Sequence, residues 1–219
     1  MQSKRSVVLV ARVLLGCAII SSPVVARDWT PISRGQALEQ THSTQLDKRR
    51  IAYGRLAEVG NMDDIPLLLA ALWDDEELIR GIAEQSIWGI WLRTDDPVAD
   101  PLFQTGMQLI VEEEVDAAIE KLNQVIELKP EFAEAWNRRG DAYAARGDED
   151  RALADYERAI ALNPYQFGAM ASCADIWMTR SNYRRAAELF RRALDLNPNL
   201  PGVAEALQAL EAKLENDRI

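Results

Sequence analysis

The sequence is poor in the residues that most often do chemistry. Among its 219 residues there are one histidine, His42, and two cysteines, Cys17 and Cys173. General bases and zinc sites draw heavily on histidine and cysteine, and His42 has no second histidine to act with. Cys17 lies in an N-terminal segment that we expect to be removed, which leaves Cys173 alone and excludes an internal disulfide. We therefore expect no catalytic residues, no metal, no cofactor and a fold held by packing.

The chain also has fewer positively charged residues than negatively charged ones. The chain has 25 lysines and arginines against 35 aspartates and glutamates, which gives a formal net charge of −10. Such a chain is repelled by a phosphate backbone and by an anionic membrane surface. We therefore expect no nucleic-acid partner, and membrane association only through the N-terminus.

The N-terminus has the layout of a secretory signal peptide. Lys4 and Arg5 form a basic start, residues 7–20 are almost wholly apolar, and Ala26 ends a stretch of small residues. We interpret residues 1–26 as a signal peptide cleaved after Ala26, so the protein is expected to be exported to a periplasm.

Two alternatives for this segment stay open. Residues 14–17 resemble a bacterial lipoprotein signal, in which Cys17 would carry the lipid. Residues 6–26 are also about long enough to remain as a membrane anchor.

The middle of the chain predicts a linker followed by a short helical unit. Residues 27–42 show no clean period, and residues 43–96 contain three helical patterns. This second stretch resembles a HEAT-like repeat, which has an aliphatic helix opening with Ile-Pro, an Asp-containing turn and a helix with a hydrophobic-Arg step. Those features are Ile65-Pro66, Asp74-Asp75 and Ile79-Arg80. Trp73, Trp88 and Trp91 are expected to pack inside this unit.

The most informative pattern is a short sequence motif that recurs at the end of three helical segments. The segments close on Pro130, Pro164 and Pro198, which are 34 residues apart both times. A fixed period of this length indicates an array of helical repeats. In repeat register, starting at Ala99, Ala133 and Phe167, the repeats cover 99–132, 133–166 and 167–200. The domain itself is predicted to span 97–198, where the last helix pair closes on Pro198, and 199–219 would form a capping helix.

The repeats resemble tetratricopeptide repeats. The second repeat has Gly140 and Ala152 where two helices must approach closely, with Trp136, Tyr143 and Tyr156 around that crossing. The first repeat departs at its turn, where Glu112-Glu113-Glu114 replaces Gly-Asp. The resemblance implies an all-α fold, a right-handed α-solenoid (a TPR superhelix) preceded by the HEAT-like unit. The expected repeat-core residues are Gly106, Ala118, Trp136, Gly140, Tyr143, Ala152, Tyr156, Ala159, Trp177, Ala186, Phe190 and Ala193.

The same resemblance implies a concave groove lined by the first helix of each repeat. The predicted groove residues are Phe103, Met107, Ile110, Asn137, Asp141, Asp175 and Met178. Family members that bind chaperones hold a C-terminal carboxylate with Lys and Asn at such positions, whereas this chain has Phe103, Met107 and Asp141, so we exclude acidic tails as partners. Apolar and acidic groove positions favour an amphipathic or basic peptide or protein segment.

These features together predict a non-catalytic, exported adaptor that binds a partner segment in the groove. An accessory or regulatory subunit of an envelope enzyme complex is the alternative.

Overall fold

The computed structural model describes residues 32–216 and is all-α. Within that range it has eleven α-helices, one 3₁₀ turn and no strand. The chain divides into two compact units, whose described parts are residues 32–93 and 94–216. The predicted all-α fold class is confirmed. The boundary lies three residues before the predicted end of the first helical unit at 96.

The first unit contains four α-helices and the 3₁₀ turn Met62–Asp64. The helices are α1 Arg34–Gln40, α2 Leu46–Val59, α3 Ile65–Ala71 and α4 Glu77–Trp91.

Helix α1 corrects the prediction that 27–42 is a linker. Ser33 and Gln36 form a reciprocal capping box at its start, and Ala37 is fully buried where α1 packs against α2. Arg34 Nη2 lies 2.6 Å from Asp64 Oδ1 and ties the helix to the 3₁₀ turn. Seven residues are too few for a periodic apolar pattern to stand out, so sequence reasoning missed a helix that tertiary contacts stabilise. Residues 27–31 lie outside the described range.

The core of the first unit forms where α4 crosses α2 and α3. Leu56, Ile79 and Ile87 are fully buried there. Trp91 is buried with Trp88 edge-on to it, at 5.3 Å between ring centroids, but Trp73 is 60% exposed. The expectation that Trp73 packs inside is therefore wrong, because α3 ends at Ala71 and leaves Trp73 in the turn.

The second unit stacks helices in three antiparallel pairs and adds one more helix. The pairs are α5 Ala99–Val111 with α6 Val115–Leu128, α7 Ala133–Ala145 with α8 Glu149–Leu162, and α9 Phe167–Thr179 with α10 Tyr183–Leu196. Within each pair the contact is extensive, and each pair also packs on the next. Helix α11, Val203–Asn216, covers α10 with Val203 and Leu210 buried.

The three pairs share one turn despite their different sequences. Glu113, Gly147 and Ser181 all have positive φ, at 62°, 82° and 59°. In each case the next backbone N–H donates to a carbonyl five residues earlier, as from Glu114 to Leu109 at 2.9 Å. This is the αL ending of a helix, in which glycine is the favoured residue. The glutamates of the first repeat thus adopt the same turn, at a backbone cost that Gly147 avoids.

Replacing Glu113 by glycine is expected to stabilise the protein. The substitution removes the left-handed strain of a residue with a Cβ, and we expect the free energy of unfolding to rise by about 0.5–1 kcal/mol. Urea unfolding measures the change, and Gly147→Glu should lower stability by a similar amount. An unchanged midpoint for both variants would contradict the assignment of the turn.

Paired arginines connect neighbouring repeats at equivalent places. Arg146 Nη1 lies 2.9 Å from Asp116 Oδ1, and Arg180 Nη2 lies 2.8 Å from Asp150 Oδ1. Each arginine follows the first helix of its repeat, and each aspartate begins the second helix of the repeat before. The 34-residue period is therefore present in the surface ion pairs as well as in the core.

Candidate partner-binding site

Close helix crossing inside the second repeat depends on Gly140 and Tyr156. A Cβ placed at Gly140 would lie 2.7 Å from the Tyr156 ring, and Tyr156 is only 1% exposed. Gly106 faces Leu122 in the first repeat in a similar way, at 3.1 Å. The remaining small or apolar positions of the predicted core are also buried. They are Ala118, Ala152, Ala159, Ala186, Phe190 and Ala193.

Three of the predicted core aromatics are only partly buried, and each also contacts an arginine side chain. Arg139 lies over the Trp136 ring at 4.8 Å, Arg146 over Tyr143 at 5.1 Å, and Arg185 over Trp177 at 4.5 Å. These cation–π contacts cover the rims of the helix pairs with arginine.

The predicted groove residues fall into two groups. Met107, Ile110, Asp175 and Met178 are partly exposed on the first helices α5 and α9.

Phe103, Asn137 and Asp141 are instead buried, at 0%, 3% and 5% exposure. Phe103 packs edge-on against Phe132, with ring centroids 5.1 Å apart. The expectation that these three side chains stand open to a partner is therefore corrected: each already has contacts within the chain.

A polar network on α7 accounts for the burial of Asn137 and Asp141. Arg138 lies between two carboxylates, with Nη2 2.6 Å from Glu134 Oε1 and Nη1 3.1 Å from Asp141 Oδ2. Tyr156 donates its hydroxyl to Asp141 Oδ1 at 2.9 Å. Glu134, Arg138 and Asp141 thus hold one another in place along one side of α7, one helical turn apart.

Two amides complete what we call the α7 network, which comprises Glu134, Asn137, Arg138, Asp141, Tyr156 and Gln166. Gln166 Nε2 donates to Glu134 Oε2 at 2.7 Å, and Asn137 Nδ2 lies 3.3 Å from both oxygens of that carboxylate. Gln166 is fully buried and stands just before α9, so the network joins the second repeat to the third. Sequence reasoning did not select Arg138 or Gln166, although the Glu134–Arg138 spacing of four residues was a signal for the ion pair.

Burying the charged side chains of the α7 network costs free energy. Burial raises the pKa of Glu134 and of Asp141 above the ordinary carboxyl range, and the neighbouring Arg138 opposes the rise. The pKa of Tyr156 is raised well above its usual value by burial and by Asp141, so its hydroxyl stays a donor. Asp175 is the counterpart of Asp141 in the third repeat, but its carboxylate lacks the tyrosine and arginine partners that Asp141 has. Burial raises its pKa to about 6.

Replacing Asp175 by asparagine is expected to flatten the pH dependence of stability. A carboxyl whose folded pKa exceeds its unfolded value costs stability above the folded pKa, and this cost disappears as the pH falls from about 6 towards the unfolded value. Asp175→Asn should therefore be more stable than the parent by about 1–2 kcal/mol at neutral pH and equal to it in acid. Thermal unfolding across that pH range measures the difference.

Exposed Asp195 on α10 offers the control, since Asp195→Asn on the surface should change the free energy of unfolding by no more than about 0.5 kcal/mol. A stability difference between Asp175→Asn and the parent that does not shrink between neutral pH and pH 5 would contradict the role of Asp175.

The other chemically capable groups are placed as ordinary structural residues. His42 is exposed in the turn after α1. Cys173 is buried, which raises the pKa of its thiol to about 11 and keeps it unreactive at neutral pH. In the described range no three or more His, Cys, Asp or Glu side chains are placed to hold a metal ion. Between Ile32 and Asn216 no helix has the length and apolar content needed to cross a membrane.

Comparison with known proteins agrees with the helix pairs. The family model for the tetratricopeptide repeat matches residues 106–167, which include the Gly140–Tyr156 crossing and the α7 network. The second unit thus contains tetratricopeptide repeats (TPRs), and we call it the TPR unit. The matched residues lie outside the first unit, so the resemblance of that unit to HEAT repeats stays a prediction.

A similar TPR repeat-containing protein occurs in Rhizobium etli. The two are 29% identical over 128 residues, which is 58% of this chain and 63% of the relative. The chain thus matches less than two thirds of that relative's length.

Solved structures of three proteins share this fold. The Sgt2 TPR domain from Aspergillus fumigatus superposes with a TM-score of 0.52 at 22% identity, over 56% of this chain and 83% of that one. The first TPR of Spaghetti (RPAP3), bound to the HSP90 peptide SRMEEVD, gives 0.50 at 22% identity over 53% and 93%. MamA gives 0.51 at 20% identity over 72% and 87%. At these identities the likeness shows the fold.

Proposed function

We propose that this protein is a non-catalytic adaptor that binds a segment of a partner protein on the first helices of its TPR unit. The observation that carries the proposal is the set of partly exposed apolar side chains on α5 and α9, namely Met107, Ile110 and Met178. Methionine is a flexible, polarizable side chain that suits a peptide-binding surface. The RPAP3 repeat of the same fold holds a peptide, which supports a peptide as the ligand class.

The partner segment is amphipathic or basic in this proposal. The net charge of −10 and the partly exposed carboxylate of Asp175 on α9 favour a cationic ligand. A peptide with an acidic C-terminus would meet the partly exposed, uncharged Met107 where a lysine would be needed. Charge would set orientation and association rate, and apolar contact would supply most of the affinity.

Affinity purification from the native host tests this proposal. Met107→Gln with Met178→Gln keeps side-chain size and removes apolar contact, so the partner should be lost. The matched control is Leu128→Gln, an apolar residue 49% exposed on the second helix α6, which should retain the partner. Retention of every partner by the double variant, with its unfolding temperature unchanged, would contradict a binding site on these helices.

The same purification separates the two kinds of interaction protein. An adaptor should bring down several proteins, whereas an accessory subunit of an envelope enzyme should bring down one enzyme at a fixed ratio. Turnover by the purified protein alone would contradict both.

We propose further that the protein is exported and acts in the periplasm. The support is the sequence of residues 1–26, which lie outside the described range. The intact mass of the protein from its host is expected to show a chain beginning at Arg27. A lipid-modified chain beginning at Cys17, or the full chain, would identify a lipoprotein or an anchored protein instead.

A further inference from the structure

Asp175 has the same place in the third repeat as Asp141 in the second, but its neighbours along the chain differ. Asp141 is 5% exposed and is held by Arg138 and by the hydroxyl of Tyr156. One period of 34 residues later, uncharged residues stand at four other positions of the α7 network, namely Gly168 for Glu134, Ala171 for Asn137, Ser172 for Arg138 and Phe190 for Tyr156. The third repeat therefore keeps the aspartate without the groups that hold it in the second.

The Asp175 carboxylate is open to solvent. Asp175 is partly exposed, whereas Asp141 is buried. The buried side-chain oxygens that lack a hydrogen bond within residues 32–216 belong to Asn137 and Gln166, and neither oxygen of Asp175 is among them. Met178, one turn further along α9, is also partly exposed, so a charged and an apolar group lie side by side on one surface.

An aspartate at this place lowers stability rather than raising it. Burial raises the pKa of Asp175 to about 6, so the folded protein disfavours the charged form at neutral pH. Asparagine would fill the same space without that cost. A titratable group that is perturbed by burial and has no structural partner to explain its presence is a candidate for a functional role.

We propose that Asp175 anchors one cationic side chain, arginine or lysine, of the partner segment, while Met178 contacts the aliphatic part of that side chain. The proposal rests on the binding of a partner segment on the first helices and names the side chain that the segment must present. Arginine and lysine fit both neighbours, because each has an apolar stem that can lie along Met178 and a charged end that can reach the carboxylate. A small cation would make no use of Met178, and an acidic side chain would be repelled.

Selection from a library of random peptides, with the full chain as bait, tests the anchor. The parent protein should enrich peptides that share one arginine or lysine among apolar residues. Asp175→Asn should enrich peptides without this shared cation, and Asp195→Asn on the exposed side of α10 should keep the preference of the parent. Because Asp175→Asn is expected to be more stable than the parent at neutral pH, unfolding cannot account for the change.

Calorimetry then compares one enriched peptide with the same peptide carrying citrulline in place of arginine, or norleucine in place of lysine. The parent should bind the cationic peptide about 5- to 10-fold more tightly, as expected for a charge-assisted contact in place of a neutral one. Asp175→Asn should bind both peptides within about 2-fold of each other.

The outcomes separate the anchor from peptide binding itself. Enrichment of peptides with no shared cation, or a preference for the cation that survives in Asp175→Asn, would overturn the anchor and leave peptide binding in place. Failure of the parent protein to enrich any peptide would overturn the binding of a partner segment.

Discussion

Replacing Arg138 by methionine is expected to lower the free energy of unfolding at neutral pH by about 3–5 kcal/mol. Methionine fills much of the same space, so little cavity results. The loss arises because Glu134 and Asp141 would remain buried without the cation that lies 2.6 and 3.1 Å from them. For a chain of this length, thermal unfolding should shift by about 2–4 °C per kcal/mol.

The pH dependence of this variant distinguishes lost charge compensation from lost packing. Without Arg138 the folded-state pKa values of both carboxyls would rise further, because Arg138 now opposes the effect of burial. A carboxyl with a raised folded pKa is a cost that is relieved as the pH falls through that value, so the deficit should shrink in acid. The control is Arg192→Met on the exposed side of α10, expected within about 0.5 kcal/mol of the parent. A deficit that stays constant with pH would contradict an electrostatic cause.

Replacing Gly140 by valine is expected to cost about 3 kcal/mol or more. A Cβ at this position would lie 2.7 Å from the Tyr156 ring, well inside contact distance. The ring has nowhere to move, since it is buried and its hydroxyl is bonded to Asp141. The two helices must separate or Tyr156 must leave its place, and overpacking of this kind typically costs 1–3 kcal/mol before the β-branch is considered.

Gly81 is the matched control for this substitution. It lies exposed within α4, and a Cβ there meets nothing within 4 Å. Gly81→Ala should therefore stabilise the protein by up to about 1 kcal/mol through helix propensity alone. Urea unfolding measures both variants. If Gly140→Val lowers the free energy of unfolding no more than Gly81→Ala does, the close crossing of α7 and α8 is contradicted.

The repeat architecture could be predicted from sequence because its signal is periodic. Pro130, Pro164 and Pro198 recur at one interval, and the small residues between them mark the helix crossings. Helix α1 could not be predicted in this way, because its seven residues owe their stability to a capping box and to contact with α2. The acidic turn at Glu113 looked like a departure in sequence, but the backbone adopts the turn of Gly147 all the same.

The candidate site was only partly predictable, for a different reason. The repeat pattern indicates which residues lie on the first helix of each repeat, and Met107 and Met178 are partly exposed there. They do not indicate which side chains bond to one another. The contact of Gln166 with Glu134 joins residues 32 apart in sequence and comes from the packing of one repeat on the next. Asn137 and Asp141 are buried because their hydrogen-bonding partners are other side chains of the same chain, which the repeat pattern does not identify.

Site-specific photo-crosslinking in intact cells tests the central claim, partner binding on the first helices, most directly. A photoreactive residue is placed at Met107 or Met178 on the first helices, and at Glu188 on the exposed side of α10 as the reference. The account predicts crosslinks to the same partner protein from Met107 and Met178 and none to it from Glu188. Crosslinks from Glu188 alone, or from all three positions equally, would contradict it.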